Sequence, residues 1–195
     1  MKNQKIKLVA IVGKAGSGKD YLLNYMCENF PQYHKIISAT TRPKREGEQE
    51  GVNYYYLSNE DFATQVLNDQ FLEATVFRDW CYGTQLSALD PTKINIGVFN
   101  PAGVETLEQD SRINLYVIQV EVSDKTRLIR QLSREENPDV EEIVRRYTTD
   151  KMDFLDSDFT VNYHFPNEEK PFLFERACLL NKAINDWAYL DNEKA

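Results

Sequence analysis

Apolar residues along the chain gather in short β-rich runs separated by stretches with helical spacing. The runs fall at 6–12, 35–39, 94–99, 113–121 and 158–163. The first, Ile6-Lys7-Leu8-Val9-Ala10-Ile11-Val12, is almost continuously apolar, which is expected of a strand covered on both faces. Helices are expected over 18–29, 101–109, 124–135, 139–153 and 168–190. Asn100 before Pro101, and Ser123 before the following helix, supply start signals: a side-chain oxygen accepts an orphan N–H, and a proline fits the first turn. Strands alternating with helices predict an α/β fold built on a parallel sheet. Its ligands belong at the C-terminal ends of the strands.

The segment 40–90 breaks the rhythm. Its pieces, Val52–Leu57, Phe71–Phe77 and Trp80–Gln85, are short, alternating and aromatic-rich, with one short helix after Ser58. They predict a small antiparallel insertion large enough to cover a second ligand. A second break is Arg134-Glu135-Glu136-Asn137-Pro138-Asp139, where Pro138 ends one helix and can start another. A charged turn between two helices suits a helical lid around 130–146. With no repeat and no low-complexity linker, the expectation is one domain over 1–195. Its three-layer core is 1–39 and 91–195, with the insertion at 40–90.

Composition changes this picture little. The 195 residues are 42% hydrophobic and 28% charged, as in an ordinary globular domain. No apolar run approaches the roughly 20 residues of a membrane span, and the N-terminus runs straight into the first strand, so neither a membrane nor a signal peptide is expected. Cys27, Cys81 and Cys178 are scattered without metal-ligand spacing, which points to a reducing cytoplasm. His34 and His164 have no ligand at metal spacing and read as structural or surface residues. A net charge of −8 argues against nucleic acid as a partner. A free nucleotide needs only a local cluster of cations.

Between the first strand and the first helix stands Gly13-Lys14-Ala15-Gly16-Ser17-Gly18-Lys19-Asp20. Two glycines bracket four residues and a lysine follows, as in the G-x-x-x-x-G-K-[ST] phosphate loop. Glycines let backbone N–H groups turn inward on phosphate oxygens, the helix N-terminus adds partial positive charge, and Lys19 reaches the outer phosphates. Asp20 occupies the place of the Ser or Thr hydroxyl that meets Mg²⁺. Its carboxylate is either a substitute metal ligand or a group that repels phosphate.

A second constellation lies at Ser38-Ala39-Thr40-Thr41-Arg42-Pro43-Lys44-Arg45-Glu46-Gly47, followed by Gly51-Val52-Asn53-Tyr54-Tyr55-Tyr56. Arg42 and Arg45 offer two guanidinium forks suited to a dianionic monophosphate. Tyr54 and Tyr82 add phenolic donors. Glu73, in an apolar strand, is placed to accept the ring N–H and exocyclic amine of guanine. The bland alternatives are a solvated basic turn and a surface glutamate.

This run resembles the guanylate kinase family, whose signature is S-x-T-T-R-x-x-R-x-G-E-x-x-G-x-x-Y, and FLEATVFRDWCYGT resembles its F-x-E-x-x-x-x-x-x-x-Y-G-[ST] segment. The resemblance implies a nucleoside monophosphate kinase that moves the ATP γ-phosphoryl group to GMP or dGMP with Mg²⁺. By that resemblance Arg42, Arg45, Tyr54 and Tyr82 hold the acceptor phosphate, and Ser38, Glu73 and Thr84 read guanine. Arg127, Arg130 and Arg134 fall at i, i+3 and i+7, with Arg145 and Arg146 on the next helix. Arg130, Arg134 and Arg146 match the family's lid arginines and stabilise transition-state charge together with Lys19 and Arg42. The chain departs from the family at Glu135, where a Gly is expected. It departs again at a D-x-D pair that here reads Val98 and Asn100. Asn100 retains the capacity to meet a guanine edge as donor or acceptor, and Asp20 is left as the metal ligand. The alternatives are a same-fold kinase for another nucleotide and a domain that binds partners without catalysis.

Overall fold

The computed structural model describes residues 5–77, 79–134, 136–168 and 173–190. Strand β1 (Ile6–Val12) lies at the centre of a five-stranded sheet with β2 (Tyr33–Lys35), β7 (Ile94–Val98), β8 (Ile113–Glu121) and β9 (Tyr163–Pro166). The order is β2-β7-β1-β8-β9, and every pair is parallel. Helices α1 (Lys19–Asn29), α3 (Pro101–Glu108), α4 (Asp124–Leu132), α5 (Val140–Asp156) and α6 (Leu173–Leu190) follow strands or one another. Alternation along β1 makes three layers. Val9 and Ile11 enter a cluster with Leu22 and Met26 of α1 and Leu180 and Ile184 of α6. Leu8, Ala10 and Val12 enter another with Val104 and Leu107 of α3. A central parallel strand has no solvent face, which is why this run carries almost no polar residue.

A second sheet has the order β4-β3-β6-β5, from β3 (Ala39–Thr40), β4 (Tyr55–Tyr56), β5 (Phe71–Phe77) and β6 (Trp80–Gln85). Its β3–β6 and β5–β6 pairs are antiparallel, while β3–β4 is parallel. Helix α2 (Asn59–Leu67) starts at Ser58, whose side chain accepts from Asp61 N–H. Asn100 and Ser123 cap α3 and α4 in the same way.

Two strand expectations shift. The run 35–39 is not one strand: β2 ends at Lys35 in the first sheet and β3 starts at Ala39 in the second. One apolar stretch serves two sheets, so its pattern cannot mark the switch. The run 158–163 is displaced to Tyr163–Pro166. Phe159 instead packs with Phe154 against the α3-side cluster, and pairing with Ile118–Glu121 sets the strand's place. Pro166 is tolerated because β9 is an edge strand. Helix α4 ends at Leu132, so Arg134 lies beyond it. Glu135 and residues 169–172 lie outside the described residues; Glu168, where a helix is expected to begin, is not helical, and α6 is described from Leu173.

Candidate functional site

Gly13–Gly18 turns between β1 and α1 at the C-terminal edge of the parallel sheet. Gly16 and Gly18 adopt φ of 80° and 93°. A Cβ on Gly16 would sit 2.5 Å from the Arg127 carbonyl oxygen, and one on Gly18 would sit 2.5 Å from Asn167 Nδ2. Positive φ and this close approach both require glycine. Lys19 opens α1, and its ammonium donates to Gly13 O at 2.6 Å and Lys14 O at 3.3 Å. Desolvation lowers the Lys19 pKa, while the charges of Asp20 and Asp150 oppose that shift. Asp20, in the first turn of α1, is exposed toward the same opening.

The loop is fastened from α4, α5 and the end of β9. Ala15 N–H donates to Asp150 Oδ2 at 2.7 Å, across a sequence separation of 135. Ser17 O accepts from Asn167 Nδ2 at 2.7 Å and from Arg130 Nη1 at 3.4 Å. Arg130 Nη2 also donates to the carbonyls of Asn167 and Glu168, at 2.7 and 3.2 Å. Arg127 is 0% exposed. It donates to Asp124 at 2.7 Å and Asp150 at 3.4 Å, and it lies 4.1 Å from the centre of the Tyr147 ring. The three arginines spaced for one helix face therefore have different surroundings. Arg127 is a core residue, Arg130 braces backbone carbonyls, and Arg134 lies beyond the helix. A helical pattern shows which residues share a face but not what covers that face.

The opposite wall comes from the second sheet. Arg42 is buried and donates to Glu48 Oε1 and to Pro43 O, each at 2.8 Å. Glu48 Oε2 accepts from Arg45 N–H and from the Tyr56 hydroxyl, again at 2.8 Å. Desolvation alone would raise Glu48, but Arg42 and the other donors hold it down at about 2. Desolvation also pulls Arg42 downward, yet the Glu48 carboxylate wins and its pKa rises. Glu48 was absent from the sequence-based site. The signal was present, as the Glu of the R-x-x-R-x-G-E signature, but its part as the hub of both arginines needs the fold. The Tyr54 ring lies 6.0 Å from those of Tyr56 and Tyr82, and 5.4 Å from the Arg42 guanidinium. Arg45 is depressed by desolvation, then by Arg42 and by Arg146 of α5, so three guanidinium groups converge here. Arg146 and Arg145 both bond Glu142, Arg146 Nε at 2.6 Å.

Glu73 projects from β5 with 7% exposure, and Thr84 lies opposite in register, fully buried. Burial pushes Glu73 up to about 7, against the smaller downward pull of Thr84. A group raised from 4.5 binds more protons folded than unfolded between pH 4.5 and 7, so its contribution to stability falls as pH rises through that window. The ionised form is the better acceptor for base N–H groups. A ligand that donates N–H groups to Glu73 is therefore expected to bind several-fold more tightly at pH 8 than at pH 6, and an affinity that does not change with pH would remove Glu73 from its contacts. Asn100 does not present a free amide. Its Oδ1 accepts from Gly103 N–H at 2.7 Å, and its Nδ2 donates to Thr75 Oγ1 at 3.0 Å.

These walls enclose one cavity of about 1350 Å³, which reaches from Gly13, Lys19 and Asp20 to Ser38, Arg42, Arg45, Tyr54, Glu73 and Tyr82, with Arg130, Arg134 and Arg146 along its rim. Among the described residues no group of three His, Cys, Asp or Glu forms a metal cluster. No helix among them is long and apolar enough to cross a membrane.

A sequence profile described as Guanylate kinase matches residues 5–162. A guanylate kinase of Chlorobium luteolum is 44% identical over 80 residues, 41% of either chain. One of Helicobacter pylori is 35% identical over 111 residues, 55% of this chain and 54% of the relative. The chain thus spans about half the length of the relatives it matches. A crystal structure of guanylate kinase from Anaplasma phagocytophilum superposes with a TM-score of 0.67 at 19% identity, covering 95% of this chain and 87% of the other. That likeness shows the fold. The profile match, over most of the chain, places this protein in the guanylate kinase family.

Proposed function

We propose that this member of the guanylate kinase family transfers the γ-phosphoryl group of ATP to GMP or dGMP. The observation that carries the reading is the continuous cavity. It joins a phosphate loop on one wall to an arginine–tyrosine cluster and a buried carboxylate on the other. Two nucleotides facing each other across it bring donor and acceptor phosphates together. Phosphoryl transfer needs mainly such positioning, with cations around the transferring oxygens.

The backbone of Gly13–Gly18 and the Lys19 ammonium hold the ATP phosphates. Arg42, Arg45, Tyr54 and Tyr82 hold the acceptor phosphate, with Glu48 fixing the direction of Arg42. Ser38 and Glu73 line the base end, while Thr84, expected there from the resemblance, is fully buried opposite Glu73 and does not line the cavity. A buried carboxylate that accepts two N–H groups of guanine meets unlike groups on adenine, and leaving it unpaired is costly. Arg134 and Arg146 close over the transferring group, while Arg130 braces the loop. The insertion at 40–90 and the lid around 130–146 are the moving parts of the same reading, set on the core of 1–39 and 91–195.

Mg²⁺ takes one or two protein carboxylates, substrate phosphates and water, so the single exposed Asp20 at the start of α1 fits it without a cage. When bound, the ion neutralises phosphate charge. An Asp20→Ser variant is expected to raise the Mg²⁺ concentration needed for half-maximal rate by about tenfold. A faster enzyme would mark Asp20 as a handicap.

ADP release measured over a panel of NMPs and dNMPs with Mg²⁺ tests the whole reading. Turnover is expected with a guanine acceptor. None with any acceptor would favour a binding domain, a reading that Asp20 and Val98 motivate. Turnover with TMP alone would overturn the base assignment.

A further inference from the structure

The phosphate loop already holds an anion supplied by the chain itself. Asp150 of α5 is 9% exposed and lines the cavity beside Ala15 and Lys19. Its Oδ2 accepts from Ala15 N–H at 2.7 Å, and its charge acts on the Lys19 ammonium. Backbone N–H groups of such a loop and the lysine after it are the features that grip nucleotide phosphate. Asp150 engages one of each. Its counter-ion is Arg127, and that pair is incomplete. Arg127 Nη1 lies 3.4 Å from the same Oδ2, Nε is taken by Asp124, and Nη2 is buried with no hydrogen-bond partner among the described residues. The Arg127 backbone is packed against Gly16, so the carboxylate is the partner that can move. Turned off the loop, it can offer an oxygen to each Nη group, a fork-to-fork pairing that also satisfies the orphan.

We propose that Asp150 is a built-in competitor of the donor phosphates: it occupies the empty loop, gives way to them by turning onto Arg127, and so sets the affinity for the donor nucleotide. The inference rests on the reading of Gly13–Lys19 as the donor phosphate site. In the empty loop the carboxylate gives Ala15 N–H an acceptor and Lys19 a nearby negative charge. A phosphate that enters meets that carboxylate as a like charge in a partly buried place, where repulsion is screened far less than in water. The cost falls on ATP and ADP alike, so it lowers affinity for both and hastens the loss of ADP after transfer. The unused N–H of Arg127 keeps that cost moderate, because the displaced carboxylate gains a partner as it leaves the loop.

The experiment is calorimetric titration of the full chain with ADP, with and without Mg²⁺, and separately with GMP. It compares wild type, Asp150→Asn, Arg127→Leu and the double variant Arg127→Leu with Asp150→Ala, each below its own melting temperature. Asparagine keeps an acceptor for Ala15 N–H and removes the charge, so ADP is expected to bind about tenfold more tightly. Arg127→Leu leaves the carboxylate without counter-ion or landing place, and ADP is expected to bind several-fold more weakly. The double variant lacks both groups and is expected to bind ADP at least as tightly as wild type. GMP affinity, set on the opposite wall, is expected to stay within about twofold throughout. A purely structural pair gives another pattern, because both single variants would loosen the loop and weaken ADP together. Unchanged or weaker ADP binding in Asp150→Asn would overturn the competitor, and a loss confined to Mg²⁺ would mark a metal ligand in its place. Asp150→Asn decides the matter alone if Arg127→Leu does not fold. A wild-type protein that binds no ADP would overturn the phosphate-loop reading beneath, whereas wild-type binding that Asp150→Asn leaves unmoved would overturn this inference only.

Discussion

Replacing Lys19 with Met is expected to lower kcat by about 10²–10³, the usual cost of removing one preorganised cation or donor from a developing charge. The methionine stem fills the lysine's place at the start of α1, so the phosphate loop keeps its packing. What disappears is the ammonium bonded to the loop's carbonyls at Gly13 and Lys14. Loss is expected in kcat far more than in the KM for the acceptor, because the arginines of the second sheet are untouched. The same group shapes the alkaline limb of the rate profile. Burial holds Lys19 below its ordinary value, and the charge is lost as pH rises through that lowered value, so activity falls earlier than for an exposed lysine. Steady-state kinetics of Lys19→Met against wild type, with both substrates varied, check the point. An unchanged kcat would remove Lys19 from the chemistry.

The second large effect is on stability. Asp150→Ala is expected to cost about 3 kcal/mol, at the lower end of the range for breaking a buried ion pair from one side. For a chain of this size that corresponds to a fall in Tm of roughly 6–12 °C. Asp150 joins Ala15 N–H of the phosphate loop to the fully buried Arg127, which keeps Asp124 as a second partner. That remaining partner is why the lower end of the range applies. Asp150→Asn retains an acceptor for Ala15 N–H and is expected to lose less. Adding Arg127→Leu to Asp150→Ala removes the orphaned charge and is expected to return part of the loss, since apolar replacement of a buried pair is often neutral. Differential scanning calorimetry of the three variants reads this directly. A Tm for Asp150→Ala within 2 °C of wild type would mean that Asp124 alone satisfies Arg127.

Wherever the chemistry is local, the chain was legible from its residues. The continuous apolar run at 6–12 can be buried only on both faces. The glycines that follow it serve backbone conformations that other residues rarely adopt. Ser58, Asn100 and Ser123 cap helices because the bond runs over three residues. The block at 38–84 marked Arg42, Arg45, Tyr54, Glu73 and Tyr82 as members of one site, and they line one cavity. The failures share a cause. The run at 35–39 passes between two sheets, and 158–163 is overruled by pairing along β8, and neither event leaves a mark in a short apolar window.

What a charged or polar side chain is bound to was decided only by the tertiary structure. Three arginines on one predicted helix face meet three fates: Arg127 is buried between two aspartates, Arg130 is tied to the carbonyls of Ser17, Asn167 and Glu168, and Arg134 stands past the end of α4. Glu48 becomes the anchor of Arg42, and Asp150 reaches a loop amide 135 residues away. The sequence determines the backbone of the phosphate loop because φ preferences and caps act within a few residues. It leaves open the partners of Asn100 and the burial of Arg127 because a hydrogen bond or ion pair takes its direction and strength from partners and solvent access, and folding alone brings those together.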